Sequence, residues 1–228
     1  MHIWDDIIPE SDREIYEKAG YIYKRMDYGD NPALVIIDVN YNFVGDKPEP
    51  ILKSIERFPQ SCGENGWKSV YQIASLLPLV REKRIPVVYS TGDPNLPWTI
   101  RKGNSRIKEM IANKTGHDIV REIAPEPGDI VIHKVTPSVF LRTPLVNLLI
   151  PLKVDTLLFC GGVTSGCVRA SVVDAASYGF KVGIIEECTF DRGEVSHKVN
   201  LFDMNAKYAS VVSIAEVKEY LGNLQPRS

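Results

Sequence analysis

Five short, almost continuous apolar runs rich in β-branched residues recur along the chain, and patterns of helical period lie between them. The runs are Ala33 to Asp38 (ALVIID), Ile85 to Ser90 (IPVVYS), Asp129 to His133 (DIVIH), Thr156 to Cys160 (TLLFC) and Lys181 to Glu186 (KVGIIE). A strand that is apolar on both faces belongs inside a parallel sheet, and parallel strands need crossover helices. Helical spacing over Trp67 to Lys83, Pro144 to Ile150, Ser165 to Tyr178, Glu194 to Asn205 and Ile214 to Leu221 supplies them. Ala209 to Ser213 is a weaker sixth strand. The expected fold is therefore α/β: an open parallel sheet of about six strands in the middle of three layers, Rossmann-like, with helices on both faces.

The chain of 228 residues is expected to divide into an N-terminal helical extension, residues 1–30, and a single domain, residues 31–228. The extension reads as one helix over Ser11 to Arg25, offering a surface for a neighbouring subunit. A net charge of −2 without a dense Lys/Arg stripe argues against nucleic acid and anionic membrane as partners, which leaves a small molecule. No run approaches the length of a membrane span and the start lacks a leader pattern, so a cytoplasmic protein is expected. Four cysteines, at 62, 160, 167 and 188, show neither scaffold density nor metal-ligand pairing and read as reduced thiols. Val44 to Gly66 and Thr91 to Gly128 are long for connections and are placed to build a lid or a specificity wall. Cys62 sits in the first of these, open to modification, and carries no expected catalytic role.

Chemistry concentrates in TLLFCGGVTSGCVRASVVDAASYGF, Thr156 to Phe180: a buried strand, a glycine turn, and Cys167 on the opening turn of a helix that Thr164 or Ser165 can cap. Unpaired N–H groups and the positive end of the helix dipole there favour a thiolate and can hold an oxyanion. Free cysteine is also a common buried residue, so this segment alone leaves a packing role open. Asp38 ends the first strand and Lys134 follows the third. Carboxyl ends of parallel strands share one rim, so these two can meet Cys167 in one pocket. Asp38 suits a general base, and Lys134 suits a cation that keeps the acid ionised. Taken singly, Asp38 also reads as a turn residue and Lys134 as a solvated strand end.

With ALVIIDVNYNF, DIVIHKVTPSVF and GGVTSGCVRASVVDAASYGF in hand, the chain resembles the isochorismatase-like cysteine hydrolase superfamily from about Asn31 to Val217, closest to its N-carbamoylsarcosine amidase branch. The resemblance implies a Cys167–Asp38–Lys134 triad, a thioester intermediate, a cis peptide ahead of Val163, and an oxyanion hole made of the Val163 and Cys167 N–H groups. It implies homo-oligomers, dimers or tetramers. Isochorismatases proper lack the cysteine. Nicotinamidases carry a histidine-bearing metal motif where this chain reads STGDPNLPWT, so neither a metal nor another cofactor is expected. Arg192, in EECTFDRGEVSH, takes the place of the arginine that grips a substrate carboxylate in carbamoylsarcosine-type amidases; pairing with Glu194 or Asp191 is its alternative. Asn40, Phe43 and Trp98 are candidate pocket walls, and His133 and His197 read as structural. The expected activity is cysteine-dependent cleavage of a C–N bond in a small N-carbamoyl or amide-bearing carboxylic acid. A nicotinamidase, maleamate or ureido-acid amidase, and a non-catalytic redox-responsive module, are the alternatives.

Overall fold

A computed structural model describes residues 2–21, 27–93 and 114–227. Its centre is a six-stranded parallel sheet ordered β3-β2-β1-β4-β5-β6, with β1 Pro32–Ile37, β2 Val87–Gly92, β3 Ile130–Lys134, β4 Thr156–Gly162, β5 Lys181–Phe190 and β6 Ser210–Val212. Among the described residues the α-helices are α1 Glu10–Lys18, α2 Tyr41–Val44, α3 Ile51–Arg57, α4 Glu64–Glu82, α5 Leu145–Leu149, α6 Arg169–Ser177, α7 Glu194–Lys207 and α8 Ile214–Asn223. None is long and apolar enough to cross a membrane.

Every residue of β1 is buried, which is why the strand reads as an unbroken apolar run. Its side chains alternate between two cores. Leu34 and Ile36 join Trp67, Val70, Ile73 and Leu76 of α4 and Val217 and Leu221 of α8. Ala33, Val35 and Ile37 join Leu145 of α5, Val172 and Ala175 of α6, and Leu201 and Phe202 of α7. The sheet order reverses between β1 and β4, and in open sheets of this kind ligands bind beyond the strand ends at such a switch point.

Three stretches differ from the sequence expectation. β5 continues to Phe190, past Glu186, because a register shift after Phe159 lets Thr189 and Phe190 pair with Gly161 and Gly162. The N-terminal helix stops at Lys18, and Gly20 follows at φ +83°, a conformation that suits glycine at a helix end. Tyr16 of this helix meets the Phe202 ring of α7 at 5.0 Å, and ahead of the helix Trp4 is fully buried edge-on to the same ring at 6.1 Å and Asp6 meets Lys198 at 2.6 Å. The Val44 to Gly66 stretch, expected as a long loop, contains α3. Arg57 clasps Asp46 at 2.6 Å and also Glu49, and the Ser54 and Ser61 hydroxyls meet at 2.7 Å. Cys62 is correspondingly not open to modification: it is fully buried, its N–H donates to the Phe43 carbonyl at 2.8 Å, and burial pushes its thiol up to about 12.

Candidate active site

Asp38 follows β1 at φ +50°, a left-handed conformation that aspartate tolerates better than most residues. Its N–H donates to the Ser90 carbonyl at 3.0 Å, which holds the turn to the end of β2. Asp38 is 1% exposed and its carboxylate lies among donors: the Ser90 hydroxyl donates to Oδ1 at 2.8 Å, and Lys134 Nζ to Oδ2 at 2.6 Å. The Lys134 side chain, at the last position of β3, has no exposure at all, and its ammonium also donates to the Thr136 carbonyl at 3.2 Å. Burial by itself would push this ammonium down. The Asp38 carboxylate and Cys167 outweigh burial and hold it above the ordinary lysine range, so it remains charged.

Cys167 completes the group, 7% exposed and in contact with both Asp38 and Lys134. It lies in a π turn, Thr164–Val168, that leads into α6 after the cis Gly162–Val163 peptide; the cis bond stands where the family resemblance implies it. Gly161 allows β4 to end here: it adopts φ +95°, and a Cβ on it would come within 2.1 Å of the Ile37 carbonyl oxygen. The turn is held from β5 and α7. Thr164 Oγ1 donates to the Phe190 carbonyl at 3.1 Å and lies 2.8 Å from His197 Nδ1. The expected Thr164 or Ser165 cap is replaced by Asp191, whose Oδ2 accepts the Ser165 N–H at 2.8 Å and whose Oδ1 accepts the Arg192 N–H at 2.7 Å.

The thiol also differs from expectation. Burial first, then the neighbouring Asp38 carboxylate, push Cys167 up to about 12 against the pull of Lys134. The resting sulfur is a neutral thiol, because the donors at the turn do not compensate for its removal from water. A proton acceptor in contact with that thiol is therefore a chemical requirement for nucleophilic attack, and Asp38 is in place to be one.

The remaining candidates are distributed around this centre. Arg192 is exposed just past β5, its guanidinium 5.8 Å over the Phe43 ring and bonded to the Gln60 carbonyl. It is not paired with Glu194, whose carboxylate meets Lys198 at 2.6 Å. Phe43 is half-buried on α2. Asn40 is fully buried and caps α2: Oδ1 accepts the Phe43 N–H at 3.3 Å and Nδ2 donates to Thr91 Oγ1 at 3.0 Å. Trp98 lies outside the described residues. Sequence reasoning missed Ser90, Asp191 and His117, a buried histidine on the short 3₁₀ turn Lys114–His117. For Ser90 a signal existed, since it is the last residue of the second apolar run and shares the rim with Asp38. Among the described residues, no three or more His, Cys, Asp and Glu side chains gather as a metal ion would require.

The isochorismatase-domain family matches residues 32–216. Maleamate amidohydrolase of Pseudomonas putida is 31% identical over 222 residues, covering 94% of this chain and 97% of that protein. N-carbamoylsarcosine amidase of an Arthrobacter species is 28% identical, covering 94% of this chain and 80% of that protein. Among solved structures, an isochorismatase family protein from Desulfovibrio vulgaris superposes with a TM-score of 0.73 at 25% identity, over 86% of this chain and 100% of that one. The chain belongs to the isochorismatase family and stands among its amidohydrolases, enzymes of carbon–nitrogen bonds other than peptide bonds.

Proposed function

We propose that the protein hydrolyses a small carboxylic acid that bears a carbamoyl or amide group, through a thioester on Cys167. The observation that carries the reading is the buried Lys134–Asp38 pair at 2.6 Å in contact with the Cys167 thiol. An acid and a cation without exposure need a purpose, since a buried ion pair is weak support for stability. Asp38 takes the thiol proton as sulfur attacks the carbonyl carbon. The S–C bond forms, and the Val163 and Cys167 N–H groups receive the developing oxyanion. Asp38 returns the proton to the nitrogen, the C–N bond breaks and ammonia leaves. Water, deprotonated by Asp38, then cleaves the thioester and restores the thiol. Lys134 keeps its charge throughout and offsets the negative charge on Asp38 and on sulfur.

The carboxylate is assigned to Arg192. Maleamate and N-carbamoylsarcosine, for which two relatives are named, both carry a carboxylate and an unsubstituted CO–NH₂ group. Ureidoacrylate, for which others are named, does so too. The bond from Arg192 to Gln60 and its position over Phe43 favour a guanidinium oriented for a planar anion. The test is ammonia release from N-carbamoylsarcosine, maleamate, a ureido acid, nicotinamide and a neutral amide, with a metal chelator present. Wild type releases ammonia from an anionic compound and Cys167→Ser does not. Undiminished release by Cys167→Ala would refute the nucleophile. Arg192→Ala raises KM at least ten-fold more for anionic than for neutral amides; an equal rise for both would remove the carboxylate clamp.

A further inference from the structure

Among the described residues, the two oxygens of Asp38 are each already met by a donor. Ser90 donates to one Asp38 oxygen and Lys134 to the other. The proposed oxyanion hole consists of N–H groups. A primary amide brings two N–H donors of its own on the leaving nitrogen, and Asp38, which donates its proton to that nitrogen as the bond breaks, is not an acceptor for them at that step.

Among the described residues, His117 offers a further acceptor. His117 is 6% exposed, and its Nε2 is buried without a partner among the described residues. The charged and titratable groups whose fields reach the ring are Asp38, Asp118, Asp93 and His133. Its position relative to Asp38 is fixed by backbone contacts. Val120 N–H donates to the Val39 carbonyl at 3.3 Å, Asn40 bridges Ile119 in antiparallel fashion, and Tyr41 N–H donates to the Asp118 carbonyl at 3.3 Å. The His117 carbonyl accepts the hydroxyl of Thr91, the residue after Ser90. On the other side, Gly116 lies so close to Asn42 that a Cβ there would fall 2.1 Å from Asn42 Oδ1. A buried polar atom left unpaired in so rigid a frame costs free energy unless a ligand meets it.

We propose that His117 Nε2 accepts an N–H of the leaving nitrogen and so selects substrates with an unsubstituted carboxamide or carbamoyl group; this rests on the function proposed above. Burial keeps the ring below the usual histidine range, so at neutral pH it is an uncharged imidazole with a lone pair to offer. As the C–N bond breaks, Asp38 delivers the proton to nitrogen while His117 holds a second hydrogen. The nitrogen lone pair is thereby directed at the acid.

The experiment compares maleamate with the monomethyl ester of the same acid, which has no N–H, in wild type, His117→Leu and His117→Gln. Expected is a ten-fold or larger loss of kcat/KM on maleamate in His117→Leu with less than a three-fold change on the ester. His117→Gln, whose Oε1 is an acceptor, should keep activity on maleamate within about three-fold of wild type. The rate of Cys167 alkylation by iodoacetamide should be unchanged in both variants. Equal losses on amide and ester, or no loss on the amide, would overturn the inference alone. Absence of cysteine-dependent ammonia release from every compound of the panel by wild type would overturn the proposed function and this inference with it.

Discussion

Replacing Lys134 with methionine removes the cation and leaves a similar volume, so the variant isolates the charge. Asp38 then remains 1% exposed with a hydroxyl from Ser90 as its nearest compensation. Breaking a buried pair by removing one partner costs about 3–5 kcal/mol, because the other charge stays out of water. At about 2–4 °C per kcal/mol for a chain of this size, the midpoint should fall by roughly 6–20 °C. The sign with pH follows from Lys134. Its folded value is raised above the unfolded 10.5, so the pair's contribution is fully present below 10.5 and is lost only as pH rises through the folded value. The deficit of Lys134→Met should therefore be the same at pH 7 and pH 9. Urea unfolding of the two single variants and of Asp38→Asn/Lys134→Met closes a double-mutant cycle, and the double variant should recover most of the loss. Single costs that add to within about 0.5 kcal/mol would refute a coupled buried pair.

With its thiol pushed up to about 12, Cys167 in the free enzyme should be alkylated by iodoacetamide at a rate that climbs steadily from pH 7 to pH 10. A plateau below pH 8 would show a resting thiolate instead. Gly161 and Gly179 both have positive φ, but a Cβ on Gly179 meets nothing within 4 Å, whereas one on Gly161 collides with Ile37. Gly179→Ala should cost about 1 kcal/mol for conformation alone, and Gly161→Ala about 3 kcal/mol or more; equal midpoints in urea unfolding would refute the close approach.

The fold was legible because burial on both faces writes a parallel strand as a continuous apolar run, and helices between such runs leave few topologies. The strands were placed to within a few residues, apart from the end of β5. EECTF is too polar to read as buried strand, and it pairs only because the register shift after Phe159 brings it beside Gly161 and Gly162. α3 was missed because its order rests on the Arg57 clasp with Asp46 and Glu49, contacts that no periodicity records. In the site, Asp38, Lys134 and Cys167 could be assembled from their strand-end positions, since the sheet itself supplies the third dimension. Asp191 and His117 could not. One caps a turn 26 residues earlier, and the other is laid against the Asp38 segment by backbone bonds between loops.

The neutral thiol and the charged pair beneath it fit together once the burial of each is compared. A thiolate at Cys167 would place a second anion beside Asp38 with one lysine to balance both, in a site that water scarcely reaches. Holding the proton on sulfur leaves Asp38 and Lys134 as a closed pair, which is the less costly resting charge distribution. In the proposed reaction, the negative charge moves toward sulfur and substrate oxygen only when a carbonyl carbon is present to accept the electrons, and the proposed oxyanion hole then receives it. Unproductive alkylation or oxidation of the cysteine is then slow, because both chemistries need the thiolate that this environment withholds.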